Sequence, residues 1–156
     1  MGRCRAVEPV LVGVDGSPSS LQAVRWAARE AVRRGVPLRL VHAAGAFTVP
    51  HEYAELGVDP RLHELAERHG RAVVAEAAEV AAEAAPEVEI HRHVRPGYPI
   101  ALLVAESHAA QLLVLGSRGA GAVQGRVGSV AAAVTPHAGC PVVVVPAVPE
   151  KQSSTS

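Results

Sequence analysis

The apolar positions of this chain follow two rhythms: short β-branched runs, and longer stretches in which an apolar residue returns every three or four positions. Val10-Leu11-Val12-Gly13-Val14, introduced by Pro9, has the pattern of a strand buried on both faces. Asp15-Gly16-Ser17-Pro18 ends it. Ser17 can cap a helix with Pro18 at its first position, and Gly35 followed by Pro37 supplies the stop, which predicts a helix over 18–34. Leu21, Val24, Ala28, Ala31 and Val32 share one face of that helix, with Trp26 packing at its margin.

A second strand is predicted over 38–43, with His42 near its end. Residues 44–58 show no periodicity, contain Gly45, Pro50 and Gly57, and read as a long loop or a short irregular helix. Asp59-Pro60 opens an alanine-rich helix that runs to about Ala85 and is stopped at Pro86. Over 88–94, Val88, Ile90 and Val94 alternate with Glu89, His91 and His93, and one polar face predicts an edge or partly exposed strand. A helix over 97–110 has Ile100, Leu103, Val104 and Ser107 as its inner stripe. Leu112-Leu113-Val114-Leu115 is a fourth, buried strand. A loop follows in which Gly116, Gly119, Gly121, Gly125 and Gly128 recur, then a short helix over 129–137 and a valine strand, Val142 to Val145. The polar tail, 150–156, is expected to be disordered, leaving one domain over 1–149.

Strands alternating with helices argue for an α/β fold: an open, mostly parallel five-stranded sheet with helices on both faces. Ligands bind such sheets at the carboxyl ends of the strands, where strand order reverses. Asp15 ends the first strand and Gly116 the fourth. If the two are neighbours, the loop and the helix beginning at Ser129 offer backbone N–H donors to a phosphate, and Asp15 can accept hydrogen bonds from a ribose or assist a cation. The plainer alternatives are a flexible surface loop and a capping aspartate.

Composition narrows this reading. Fifteen basic residues balance fifteen acidic ones among 156, so neither a nucleic acid nor a membrane surface has an electrostatic footprint to meet. Although 49% of residues are apolar, no run approaches the roughly 18 residues of a membrane span. The basic N-terminus lacks the long apolar segment of a secretory signal, and Cys4 and Cys140 have no metal or redox spacing, so a soluble, cytoplasmic protein with reduced thiols is expected. His63 and His69 stand on different faces of their helix, His91 and His93 lack further ligands nearby, and no metal site is expected. No P-loop, no dinucleotide fingerprint after the first strand and no nucleophile elbow is present.

Val-Gly-Val-Asp-Gly-Ser-Pro at 12–18, the Leu-Val-His-Ala ending of the second strand, Gly-Ser-Arg-Gly at 116–119, Gly-Ser-Val at 128–130 and His-Ala-Gly-Cys-Pro-Val-Val-Val-Val at 137–145 occur in an order and spacing that resembles the single-domain bacterial universal stress proteins. The resemblance implies the strand order 3-2-1-4-5 and a branch that binds ATP, with Mg as the ion that could accompany it. It implies that Gly13 and Asp15 line the ribose and adenosine side and that Val41 meets adenine through its backbone. Gly116, Ser117, Arg118 and Gly119 would wrap the phosphates, and Gly128, Ser129 and Val130 would close on them. One departure stands out: the family pattern has nine residues between the second glycine and the Gly-Ser pair, whereas 120–127 supplies eight.

In the implied order the last strand is a sheet edge, and four consecutive valines there would leave an apolar, unpaired rim. A homodimer through Val142, Val143, Val144 and Val145 would cover it; helices on both faces with the tail across the edge are the alternative. Three functions follow for comparison. The first is an ATP-binding regulatory or stress-response module, with a protein partner still unknown and little or no hydrolysis. The second is a dimeric interaction protein that lost nucleotide binding through the shortened loop. The third, an enzyme using the crevice, lacks a nucleophile–base pair in these motifs.

Overall fold

In the computed structural model, residues 7–45, 60–117 and 128–147 are described. Five parallel strands, β1 (Val10–Gly13), β2 (Leu38–Ala44), β3 (Ile90–Pro96), β4 (Leu112–Gly116) and β5 (Val142–Val145), form one sheet in the order β3-β2-β1-β4-β5. The helices are α1 (Pro18–Arg34), α2 (Pro60–Ala84), α3 (Pro99–Ser107) and α4 (Ser129–Val134), the last continuing into a single 3-10 turn, Thr135–His137. The segments 46–59 and 118–127 and the tail lie outside the described residues.

Each central strand sends alternate side chains into two separate cores. Val10, Val12, Leu38, Leu40, Leu112 and Val114 pack with α1 and α2 on one face. Leu11, Val41, Leu113 and Leu115 pack with Leu103 of α3 and Ala131 and Val134 of α4 on the other. This two-sided burial explains why β1 and β4 read as continuous apolar runs. β3, at one edge, pairs through one side only, as its polar face predicts. There His91 bonds to Glu89 at 3.0 Å, and the Arg95 guanidinium donates to His93 Nδ1 at 3.2 Å. Burial, with Arg39 and Arg95 nearby, holds His93 below the ordinary imidazole range.

The α1 caps follow the sequence signals. Ser17 Oγ accepts the Ser20 N–H at 3.2 Å, Pro18 sits in the first turn, and Gly35 closes the helix at φ 68°. The buried face differs from the expected one. It is centred on Ala23, Ala27, Ala28 and Ala31 with Val24, while Leu21 is only partly buried and Val32 is 37% exposed. Alanines let the helix axis approach the sheet closely, and the larger residues are left at the margin of the stripe. α3 is also shorter than predicted, and Ile100, expected on its inner stripe, is 39% exposed. Leu103 already lies over Gly13, the last residue of β1, so Ile100, one turn earlier, overhangs the strand ends.

On the outer side of α1, Glu30 accepts hydrogen bonds from both Arg33 and Arg34. These bonds hold its carboxyl at about 2, below the ordinary 4.5. Because the folded value is the lower one, the pair stabilises the fold above pH 4.5 and the contribution is lost as pH falls towards 2. Glu30→Gln is expected to lower the melting temperature by about 1–2 °C near neutrality, since pairs close to solvent contribute little. Thermal melts from pH 7 downward should show wild type and variant converging at the acid end.

Candidate functional site

The carboxyl ends of β1 and β4 sit side by side. Their pairing runs from Val10 opposite Leu112 to Val12 opposite Val114, and beyond it the two chains diverge into α1 and into the glycine-rich segment. This is the point where strand order reverses, and it brings Asp15 and Gly116 to one crevice as the sequence implied.

On the β1 side, the Val14 N–H donates to the Val41 carbonyl at 2.9 Å, and the Val14 carbonyl accepts from His42 Nδ1 at 2.8 Å. Asp15 is exposed, and its Oδ1 accepts the Ser17 N–H at 2.9 Å, an Asx turn that leads into α1. Gly16 adopts φ 84°, a conformation that favours glycine. Asp15 is therefore not the cap of α1, which is Ser17; it stands two residues before that cap, at the mouth of the crevice.

Gly13 is packed beneath Leu103 and Leu115; a Cβ there would lie 3.1 Å from each. Val41 is 1% exposed, with its side chain in the α3/α4 core. Its carbonyl already carries Val14, and the β1–β2 pairing ends at Gly13 opposite Val41. Backbone groups alternate in direction along a strand, so those of Ala43 are the next to face the β1 side, past the end of that pairing.

On the β4 side, Gly116 is pressed against α1. A Cβ at this position would lie 2.6 Å from Ser19 Oγ and 2.8 Å from the Ser19 carbonyl carbon and oxygen. Ser117 ties three elements together. Its N–H donates to the Val145 carbonyl at 3.0 Å, its carbonyl accepts the Gly128 N–H at 2.6 Å, and its Oγ accepts the Ala147 N–H at 3.0 Å. Its hydroxyl proton is still available to donate. Arg118 and Gly119, together with 120–127, lie outside the described residues, but the two ends of that segment are joined directly by the Ser117–Gly128 bond.

Gly128 is the N-cap of α4, and its carbonyl accepts the Ala132 N–H at 3.0 Å. Among the described residues no side chain caps this end, and the N–H groups of Ser129, Val130 and Ala131 form its first turn. Ser129 is exposed, while Val130 packs on the α3/α4 core. An anion in the crevice could use these donors.

Among the described residues, no three histidine, cysteine, aspartate or glutamate side chains gather as a metal site. No described helix is long and apolar enough to cross a membrane. Burial pushes the Cys140 thiol up, away from nucleophilic character.

Two features of the site had only faint sequence signals. The sequence puts His42 near a strand end and assigns it no role. Gly70 interrupts an alanine-rich helix where glycine costs about 1 kcal/mol; a Cβ there would lie 2.8 Å from Val94 Cγ1 and 2.9 Å from His42 Cδ2.

Residues 6–146 match the model of the universal stress protein family. The chain belongs to that family. It is 36% identical over 140 residues to the universal stress protein Rv2623 of Mycobacterium tuberculosis, an alignment covering 87% of this chain and 46% of the relative. The chain thus spans about half the length of the curated relatives it matches. Among solved structures, it is similar to a universal stress protein in complex with cAMP, with 29% identity and a TM-score of 0.64 over 92% of this chain and all of the other. The fold is also that of UspA from Lactobacillus plantarum, with 21% identity and a TM-score of 0.69 over 90% of this chain and 99% of the other.

Proposed function

We propose that this universal stress protein binds an adenine nucleotide, ATP with Mg, in the β1/β4 crevice and serves as a nucleotide-responsive regulatory module with little or no hydrolysis. The observation that carries the reading is the convergence of Asp15 with both ends of the glycine-rich segment at the strand-order reversal. The related protein in complex with cAMP supports an adenine-containing ligand. Asp15, beside Gly13, accepts from the ribose hydroxyls. The β2 backbone from Val41 onward meets the adenine edge. Gly116, Ser117, Arg118 and Gly119 surround the phosphates, and the first turn at Gly128, Ser129 and Val130 supplies N–H donors. Mg, when bound with ATP, supplies charge neutralisation at the phosphates. Asp15 acts as a hydrogen-bond acceptor, its carboxylate oriented by the Ser17 N–H.

Calorimetric titration with Mg-ATP tests this. Saturable binding with Kd below about 1 mM is expected. Asp15→Asn keeps the oxygen that accepts from Ser17 but removes the charge, and should weaken binding about tenfold or more with the apo melting temperature nearly unchanged. Undetectable binding at millimolar ATP defeats the reading, and steady turnover points to an enzyme.

The eight-residue spacing 120–127 favours one other reading, a dimeric interaction protein without nucleotide. In both readings we propose a second copy of the chain on β5, whose four valines are half-buried at the sheet edge. Light scattering at micromolar concentration should return the mass of two chains. A single-chain mass removes the dimer.

A further inference from the structure

The two bonds to Val14 are of different kinds. Its N–H makes an ordinary ladder bond to Val41. Its carbonyl, which in a continuing parallel strand would accept from the backbone of β2, accepts instead from the side chain of His42. A carbonyl can only accept, so His42 Nδ1 carries the hydrogen. The ring is held from its other side by α2. His69 meets it edge-on, with centroids 6.0 Å apart and planes at 75°, and Gly70 leaves the space into which the ring fits. β1 pairing with β2 stops at Gly13, and the chain turns through Asp15 and Gly16 into α1.

We infer that His42 is a positioning residue of the crevice: by taking the Val14 carbonyl it ends β1 at a defined residue and fixes the turn that presents Asp15. The inference rests on the nucleotide reading above, and it adds a connection between that site and α2. The imidazole is the far end of a lever whose other end is the Asp15 turn. A change at Gly70 reaches the crevice through the ring without touching any group that faces the nucleotide.

The test compares His42→Asn, His42→Gln, His42→Leu and Gly70→Ala with the wild-type chain. An Asn side-chain N–H can stand near the place of Nδ1, whereas the longer Gln places its N–H near Nε2. Three readouts are taken: Mg-ATP affinity by calorimetry, hydrogen exchange of the amides from Asp15 to Ser17, and the histidine tautomer by 15N NMR. The Nδ1–H form is expected for His42. Asn should hold affinity within about threefold, while Gln, Leu and Gly70→Ala should lose about tenfold or more, corresponding to one charge-assisted hydrogen bond at Asp15. Exchange at 15–17 should accelerate in the same three variants, and circular dichroism should show all of them folded at the assay temperature.

Wild-type exchange at 15–17 in the folded Gln and Leu variants overturns the inference, as does an Asn variant no better than Leu. Should the wild-type chain bind no ATP, the nucleotide reading falls, and the exchange pattern and tautomer still decide whether His42 sets the turn.

Discussion

Gly116→Ala is expected to lower stability by about 2–3 kcal/mol and the melting temperature by about 5–10 °C. The added methyl would meet Ser19 Oγ at 2.6 Å and, more seriously, the Ser19 carbonyl carbon and oxygen at 2.8 Å. A side-chain oxygen can rotate away, but the backbone of the first turn of α1 cannot move without shifting Ser17 and Pro18, which cap it. Combining the substitution with Ser19→Ala should therefore recover only part of the loss. Differential scanning calorimetry on the single and double variants checks both statements. Full recovery in the double variant would show that the hydroxyl, not the backbone, makes the contact tight. Loss of nucleotide binding in Gly116→Ala alone would report a displaced helix as much as a missing phosphate contact, which is why Asp15→Asn is the cleaner probe.

Ser107→Ala is the second large effect, expected at about 1–2 kcal/mol for the two hydrogen bonds of its hydroxyl. Ser107 is fully buried at the end of α3, where its Oγ donates to the Val104 carbonyl at 2.6 Å and accepts the Gly139 N–H at 2.8 Å. Alanine removes the hydroxyl without adding bulk and offers no acceptor, so the Gly139 N–H loses its protein partner. The loss falls on the turn before β5, where the His108 ring lies so close to Gly139 that a Cβ there would meet its Nδ1. Denaturant unfolding gives the magnitude, and amide exchange at Gly139 should accelerate in the variant. Ser107→Thr, which retains the oxygen, should lose less at Gly139. Equal exchange in all three proteins would remove the bond from the account.

The parts of the fold that could be read from the chain are those in which local chemistry and tertiary packing agree. Ser17, Pro18 and Gly35 bound α1 because cap geometry is local, and the Val10–Val12 and Leu112–Leu115 runs are apolar because helices cover both sides of those strands. The strand order came through the family resemblance; strand-helix alternation leaves it open. Misplaced details depend on distances between elements. Val32 and Ile100 share helical faces with buried residues, yet one lies at the margin of the contact and the other beyond the strand ends. For the site, the strand-end position of Asp15 is visible in the sequence; that Ser17 rather than Asp15 caps α1, with Asp15 accepting the Ser17 N–H, is a detail periodicity does not decide. The roles of His42 and Gly70 were not legible because they arise where β2 and α2 meet, and no sequence spacing encodes that meeting.

The Ser117–Gly128 bond has a consequence for the segment between them. The sheet, β5 and α4 hold Ser117 and Gly128 in place, so the two ends of the intervening sequence stand at a fixed separation. The entropy of closing a chain between two such ends changes by less than about 0.1 kcal/mol when one residue is added or removed. The eight-residue spacing at 120–127 therefore costs the domain almost nothing, and selection on that length is left to function rather than to stability.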